Sequence, residues 1–122
     1  MTGLTLDAGA LIAFDRNVRR VVLLLQGAVQ AGRRVAVPAG ALAQVWRDGR
    51  RQARLARFLS EPEVEVVELD DLRARQAGQL CGVRDTSDIV DASVALCARA
   101  RNDQVVTSDP DDLARLDPTL EL

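Results

Sequence analysis

The chain has 122 residues and a formal net charge of -2, with 16 basic residues that are all arginine, 18 acids, and no His, Lys or Tyr. That length gives one ordinary domain with a sizeable core, and residues 1–122 are expected to form a single unit. The missing residue types exclude His-based catalytic triads, His-ligated zinc and Lys-dependent phosphate loops, so carboxylate and guanidinium are the chemistry that remains.

In chain order, "LTL" at 4–6 reads as a short buried strand that ends at Asp7, and a small apolar helix, "AGALIAF", follows. Residues 18–32, "VRRVVLLLQGAVQAG", have helical length and an apolar face at Val21, Val22, Leu24, Leu25 and Val29, and they stop at Gly32 before a strand-like "RVAVP". Pro38 opens "AGALAQVWRDG", and a basic helix, "RRQARLARFLS", runs to the break at Pro62. "EVEVVEL" at 63–69 alternates acid and valine as a third strand does. Two further helices, "DLRARQAGQLCGV" and "SDIVDASVALCARAR", precede a fourth strand, "QVVTS". The second of these helices is apolar nearly all round, and so expected to be buried. "DPDDL" then starts another helix, and "TLEL" is a candidate last strand. Short apolar strands alternating with helices specify an α/β fold, a parallel sheet of four to five short strands with helices on both faces.

Charge is divided along the chain. Residues 1–60 carry ten Arg against three acids, and residues 61–122 carry six Arg against fifteen acids. Separate basic and acidic surfaces follow unless folding interleaves them. Cys81 and Cys97 have no metal-ligand spacing and read as reduced, buried thiols. With no export-type leader and no membrane-length apolar run, the expected address is the cytoplasm.

In open parallel sheets function gathers at the carboxyl ends of strands. Asp7 and Asp109 both stand there, and if strands one and four are neighbours, about 4.8 Å apart, their carboxylates converge. Asp91 leads the apolar stripe of Val94, Ala95 and Ala98 on the late helix, with Asp88 one turn earlier. Converging acids without Lys or His call for a hard divalent cation, and all-oxygen ligation favours Mg²⁺ or Mn²⁺. Each acid also has a plainer role. Asp109, Asp111 and Asp112 suit a helix start and Asp88 suits an N-cap with Asp91 at N3, whereas Asp7 has no evident cap partner.

Four pieces, "LTLDAGALIA", "VPAGALAQVWR", "SDIVDASVALCAR" and "VVTSDPDDL", stand in the order and spacing of the PIN-domain ribonucleases, and the chain resembles in particular the VapC-type toxins of prokaryotic toxin–antitoxin pairs. The resemblance implies a doubly wound, PIN-like sheet with an acidic pocket that binds Mg²⁺ or Mn²⁺ and hydrolyses RNA, and a cognate antitoxin as partner. It assigns catalytic and metal-ligating roles to Asp7, Asp91 and Asp109, with Asp88 and Asp112 as supporting ligands. Gln44 stands where the family usually has an acid. It offers at most a weak, uncharged ligand, with Asp48, one turn on, as a possible substitute. Arg47, Arg50, Arg54 and Arg57 follow helical spacing and are candidate RNA contacts, although a solvated face, or a dimer or antitoxin contact, fits them equally well. A homodimer is expected, and Trp46 reads as core or interface. A receiver domain and a haloacid-dehalogenase-like phosphatase both lack their Lys here. The alternative is a non-catalytic PIN-like module that binds RNA or protein.

Overall fold

Four short apolar runs form the strands β1 (Leu4–Leu6), β2 (Val35–Pro38), β3 (Val64–Val67) and β4 (Gln104–Val106) in a computed structural model that describes residues 2–107. Between them lie the helices α1 (Ala8–Asp15), α2 (Arg19–Gln30), α3 (Ala39–Val45), α4 (Ala53–Leu59), α5 (Asp71–Arg84) and α6 (Ile89–Arg101). All pairings are parallel, in the order β3-β2-β1-β4. Every residue of β1 and β2 is buried, as central parallel strands covered on both faces require. β3 is an edge strand, so its alternation is incomplete and Val66 is 40% exposed beside the exposed Glu65.

The strand order explains where the helices lie. From β1 to β3 the chain steps across the sheet in one direction, and from β3 to β4 it returns past β1. Right-handed crossovers, the rule for parallel strands, put the helices after such a reversal on the face opposite α1 and α2. α6 packs on α5 and against β1, β2 and β4, while α1 packs on α2 and α4, and α3 touches both α1 and α6.

Most elements fall where periodicity and capping residues put them. α2 ends in a Schellman motif, with the Gly32 N–H donating to the Val29 carbonyl at 3.0 Å and the Arg33 N–H to the Ala28 carbonyl at 2.9 Å. Gly32 takes φ +77°, which glycine alone adopts freely. The basic helix is shorter than expected. It begins at Ala53, and residues 49–52 form a turn, because Asp48, Gly49 and a hydrogen-bonded Gln52 favour loop geometry over continued helix. The expected strand at 63–69 contracts to Val64–Val67, and "QVVTS" is strand only to Val106. The helix expected after Pro110 and the strand at "TLEL" lie outside the described residues. Among those residues no helix is long and apolar enough to cross a membrane.

The core is continuous through the sheet, with Leu6, Leu11, Leu25, Val35, Leu55 and Val94 fully enclosed. Its aromatic part is Phe14 on α1 against Phe58 on α4, with ring centroids 4.7 Å apart and planes tilted by 40°. α6 buries Ala92, Val94, Ala95 and Ala98, but its first residue, Ile89, is exposed, so it is amphipathic rather than buried all round. Both cysteines are free thiols: Cys81 is buried and Cys97 is half-buried. Burial pushes the Cys97 thiol above its ordinary value, a shift that nearby Thr5 and Arg101 oppose. Phe14 is 1% exposed and holds α1 to α4. Phe14→Ala should therefore cost about 3–5 kcal/mol of folding stability, read as a lowered midpoint in urea with little change in slope.

Candidate active site

β1 and β4 pair in register through Leu4↔Gln104, Thr5↔Val105 and Leu6↔Val106. One further rung extends the pairing, since the Asp7 N–H donates to the Val106 carbonyl at 3.2 Å. The register therefore sets Asp7 beside Thr107 at the carboxyl end of the sheet. Asp7 is 6% exposed, and both of its oxygens are held. Oδ1 accepts from the Ala10 N–H at 2.8 Å, and Oδ2 accepts a short hydrogen bond from the Thr107 hydroxyl.

The first of these bonds corrects the sequence reading. Asp7 does have a cap partner, because it is the N-cap of α1 with extended backbone at φ −87°, ψ 178° and Ala10 at N3. Nothing in "LDAGA" hides this, since Asp before an apolar helix is a favoured start. Capping occupies one lone pair of Oδ1 and leaves further acceptor capacity on both oxygens. Its consequence is a fixed carboxylate.

The strand period tells which side that carboxylate faces. Side chains at i and i+2 share a sheet face, so extended Asp7 points to the same side as Thr5. The Thr5 hydroxyl donates to Asp103 Oδ2 at 2.8 Å, just past the end of α6, which packs against β1. α6 starts with Asp88, whose Oδ1 accepts from the Asp91 N–H at 2.9 Å. Asp88 is the expected N-cap, exposed, and Asp91 stands at N3, half-buried ahead of the fully enclosed Val94, Ala95 and Ala98. The ends of the first and last strands thus stand side by side at Asp7 and Thr107.

Asp109 and Asp112 lie outside the described residues, and no cluster of three metal-ligating side chains occurs among the described ones. Gln44 is exposed on α3. Gly40, one turn earlier on the same helix face, lies towards α6, where an added Cβ would stand 3.7 Å from Val90 and 3.9 Å from the Ser93 hydroxyl. The face that bears Gln44 is thereby turned towards α6. Asp48 does not continue that face, because α3 ends at Val45. It sits in a turn with Oδ1 accepting from the Arg50 N–H at 2.9 Å.

The pattern, the fold and this acidic end of the sheet agree with the comparison by family: the PIN domain profile matches residues 4–117. The chain belongs to the PIN domain family. Its structure is similar to a chain in the crystal structure of VapBC2 from Rickettsia felis bound to a DNA fragment from their promoter, at TM-score 0.73 and 17% identity, covering 98% of this chain and 96% of that one. At that identity the likeness concerns the fold. Among functionally curated proteins no sequence matches the chain.

In this PIN domain the four arginines expected on one helical face divide into two groups. Arg47 and Arg50 lie on the loop between α3 and α4, where Arg47 Nη1 donates to the Trp46 and Ala43 carbonyls at 2.7 and 3.3 Å. Arg54 and Arg57 lie on α4 and line a separate cleft with Gln26 and Gln30 of α2. The helical spacing fails because the turn at 49–52 interrupts it. Trp46 is half-buried against the core, as expected. The sequence reading missed Thr107 and Gln52. Thr107 had one available sign, a β-branched hydroxyl residue closing a strand, and Gln52 had none. Because Asn caps helices as well as Asp does, Asp7→Asn should keep folding stability within about 1 kcal/mol of the parent. Thermal denaturation checks this, and a much larger loss would show that the carboxylate charge itself holds the fold.

Proposed function

We propose that this PIN domain is a divalent-metal-dependent endoribonuclease, the toxin of a toxin–antitoxin pair. The observation that carries the reading is the buried carboxylate of Asp7, held at both oxygens at the carboxyl end of β1. The available donors are oxygens, which suits Mg²⁺ or Mn²⁺. Asp7 and Asp91 would hold the ion, with Asp109 from beyond β4 and with Asp88 and Asp112 supporting. When bound, such an ion would polarise the scissile phosphate and lower the pKa of the attacking water.

The chain's own part is positioning. The Ala10 N–H and the Thr107 hydroxyl fix both oxygens of Asp7, so little reorganisation is needed when charge gathers there. With no His in the chain, carboxylates and solvent must carry the protons. Arginines attract the phosphate backbone, the largest source of sequence-independent affinity for RNA. Nuclease chemistry is what PIN domains generally perform, and the likeness to a VapBC2 chain supports an antitoxin partner.

The protein should cleave single-stranded RNA only with Mg²⁺ or Mn²⁺. Asp7→Asn and Asp91→Asn should each abolish cleavage, and the product of an adjacent antitoxin gene should silence it. Full activity in excess chelator would overturn the reading. One observation favours the second reading, a non-catalytic RNA- or protein-binding module: Gln44, uncharged and exposed, stands on the α3 face turned towards α6. If Gln44 faces the ion, Gln44→Glu adds a charge worth roughly 1–3 kcal/mol at several ångströms, or about tenfold to hundredfold in Mn²⁺ affinity. It should also lower the melting temperature without metal, because crowded carboxylates repel. Calorimetric titration with an unchanged Mn²⁺ affinity would remove Gln44 from the site.

A further inference from the structure

The most completely satisfied buried polar side chain outside the acidic site is Gln52, 7% exposed at the end of the α3–α4 loop. Its Oε1 accepts from the N–H groups of Arg47 and Asp48 at 2.7 and 3.0 Å. Its Nε2 donates to the Val45 carbonyl at 3.0 Å and to Asp15 Oδ2 at 3.2 Å. An amide offers two donors and two acceptor sites, and here all of them are used. The Gln52 N–H also donates to the Asp48 carbonyl at 2.9 Å, and Asp48 Oδ1 accepts from the Arg50 N–H at 2.9 Å, so both ends and the middle of the loop are tied.

What this held loop displays is positive charge. Residues 46–52 contain Arg47, Arg50 and Arg51 against Asp48 alone. Arg50 is exposed, and the Arg51 side chain is 89% exposed with its Nε 3.9 Å from Asp48, an ion pair too open to neutralise it. The loop is also fixed relative to the acidic site. Gln52 grips Asp15, the last residue of α1, and Asp7 caps the first turn of the same helix. An eight-residue helix spans about 12 Å, so one rigid element separates the basic loop from the buried carboxylate.

We propose that the 46–52 loop is a preorganised contact for the phosphate backbone of single-stranded RNA, and that Gln52 is the positioning residue that presents its arginines. The inference rests on the reading of RNA as substrate. Fixing the backbone beforehand removes ordering entropy that a mobile basic loop would lose on binding.

The test is binding of a fluorescent single-stranded oligo(U) RNA in chelator, which prevents cleavage, as a function of NaCl, together with steady-state kinetics in Mn²⁺. Arg50→Ala and Arg51→Ala, both at exposed positions, should each lower the slope of log affinity against log salt by about 0.7, the value for one single-strand phosphate contact. Gln52→Leu removes no charge, yet it should weaken binding about tenfold, lower the slope, and raise KM with kcat within about twofold. Gln52→Glu places a carboxylate against Asp15 and should behave like Gln52→Leu. Adding Asp15→Asn reverses donor and acceptor at that contact but leaves the Val45 carbonyl without its donor, and should restore affinity only in part. If the parent binds oligo(U) but the Arg50 and Arg51 variants keep its slope, the loop is not an RNA contact. If Gln52→Leu lowers the melting temperature while affinity and slope stay unchanged, Gln52 only supports the fold. A parent that binds no single-stranded RNA removes the RNA reading and this inference together.

Discussion

The setting of Asp7 depends on the parallel pairing of β1 with β4. Residues about 100 positions apart come side by side through three paired positions and one extra backbone hydrogen bond, from Asp7 to Val106. The register decides that Thr107 rather than a neighbour stands opposite Asp7, and a slip by one residue would turn every side chain to the other face. Several interactions hold that register. Thr5 is fully enclosed and donates to Asp103, which also accepts from Arg101 Nε at 3.1 Å. The Gln104 N–H donates to the Gly3 carbonyl at 3.0 Å, and Gly3 leaves no room for a side chain, because an added Cβ would lie 2.5 Å from Asp103 Oδ1. Asp103 is therefore a buried charge with both a hydroxyl and a guanidinium as partners, as such burial requires.

The reversal of strand direction supplies the second condition. If the chain continued outward after β3, α6 would not return across β1; because it returns, α6 packs against β1, β2 and β4. The acids of these elements have ordinary individual tasks. Asp7 and Asp88 cap helices, and Asp91 sits in a first turn where the helix dipole favours negative charge. As a cap, Asp7 keeps acceptor capacity on both of its oxygens.

Charge asymmetry in the chain becomes spatial asymmetry only in part. The arginine-rich first half does not form one basic helix face. It splits between the α3–α4 loop, tied down by Gln52, and the cleft that Arg54 and Arg57 share with α2. The two groups have different surroundings and are therefore available for different contacts. Asp48, Gly49 and above all Gln52 make this division, the Gln52 amide satisfying loop backbone groups that a continuous helix would have satisfied internally.

The sequence by itself determined the class of fold, the order of its elements and the acids worth watching, because these follow from local periods and caps: fully apolar β1 and β2, the Schellman end at Gly32, and Asp88 at the start of α6. The neighbouring of β1 and β4, on which the convergence of Asp7 and Asp109 was conditional, is met by the fold. The sequence reading misjudged Asp7 as uncapped and drew one basic helix through Arg50, and in both places the deciding partner is a hydrogen bond that residue identity permits but does not dictate. Only the tertiary structure decided the register that puts Thr107 on Asp7, the packing of α6 against β1, and the four bonds of Gln52. Those depend on groups distant in the chain, and a glutamine that closes a loop against Asp15 looks in sequence like any polar residue near a helix start.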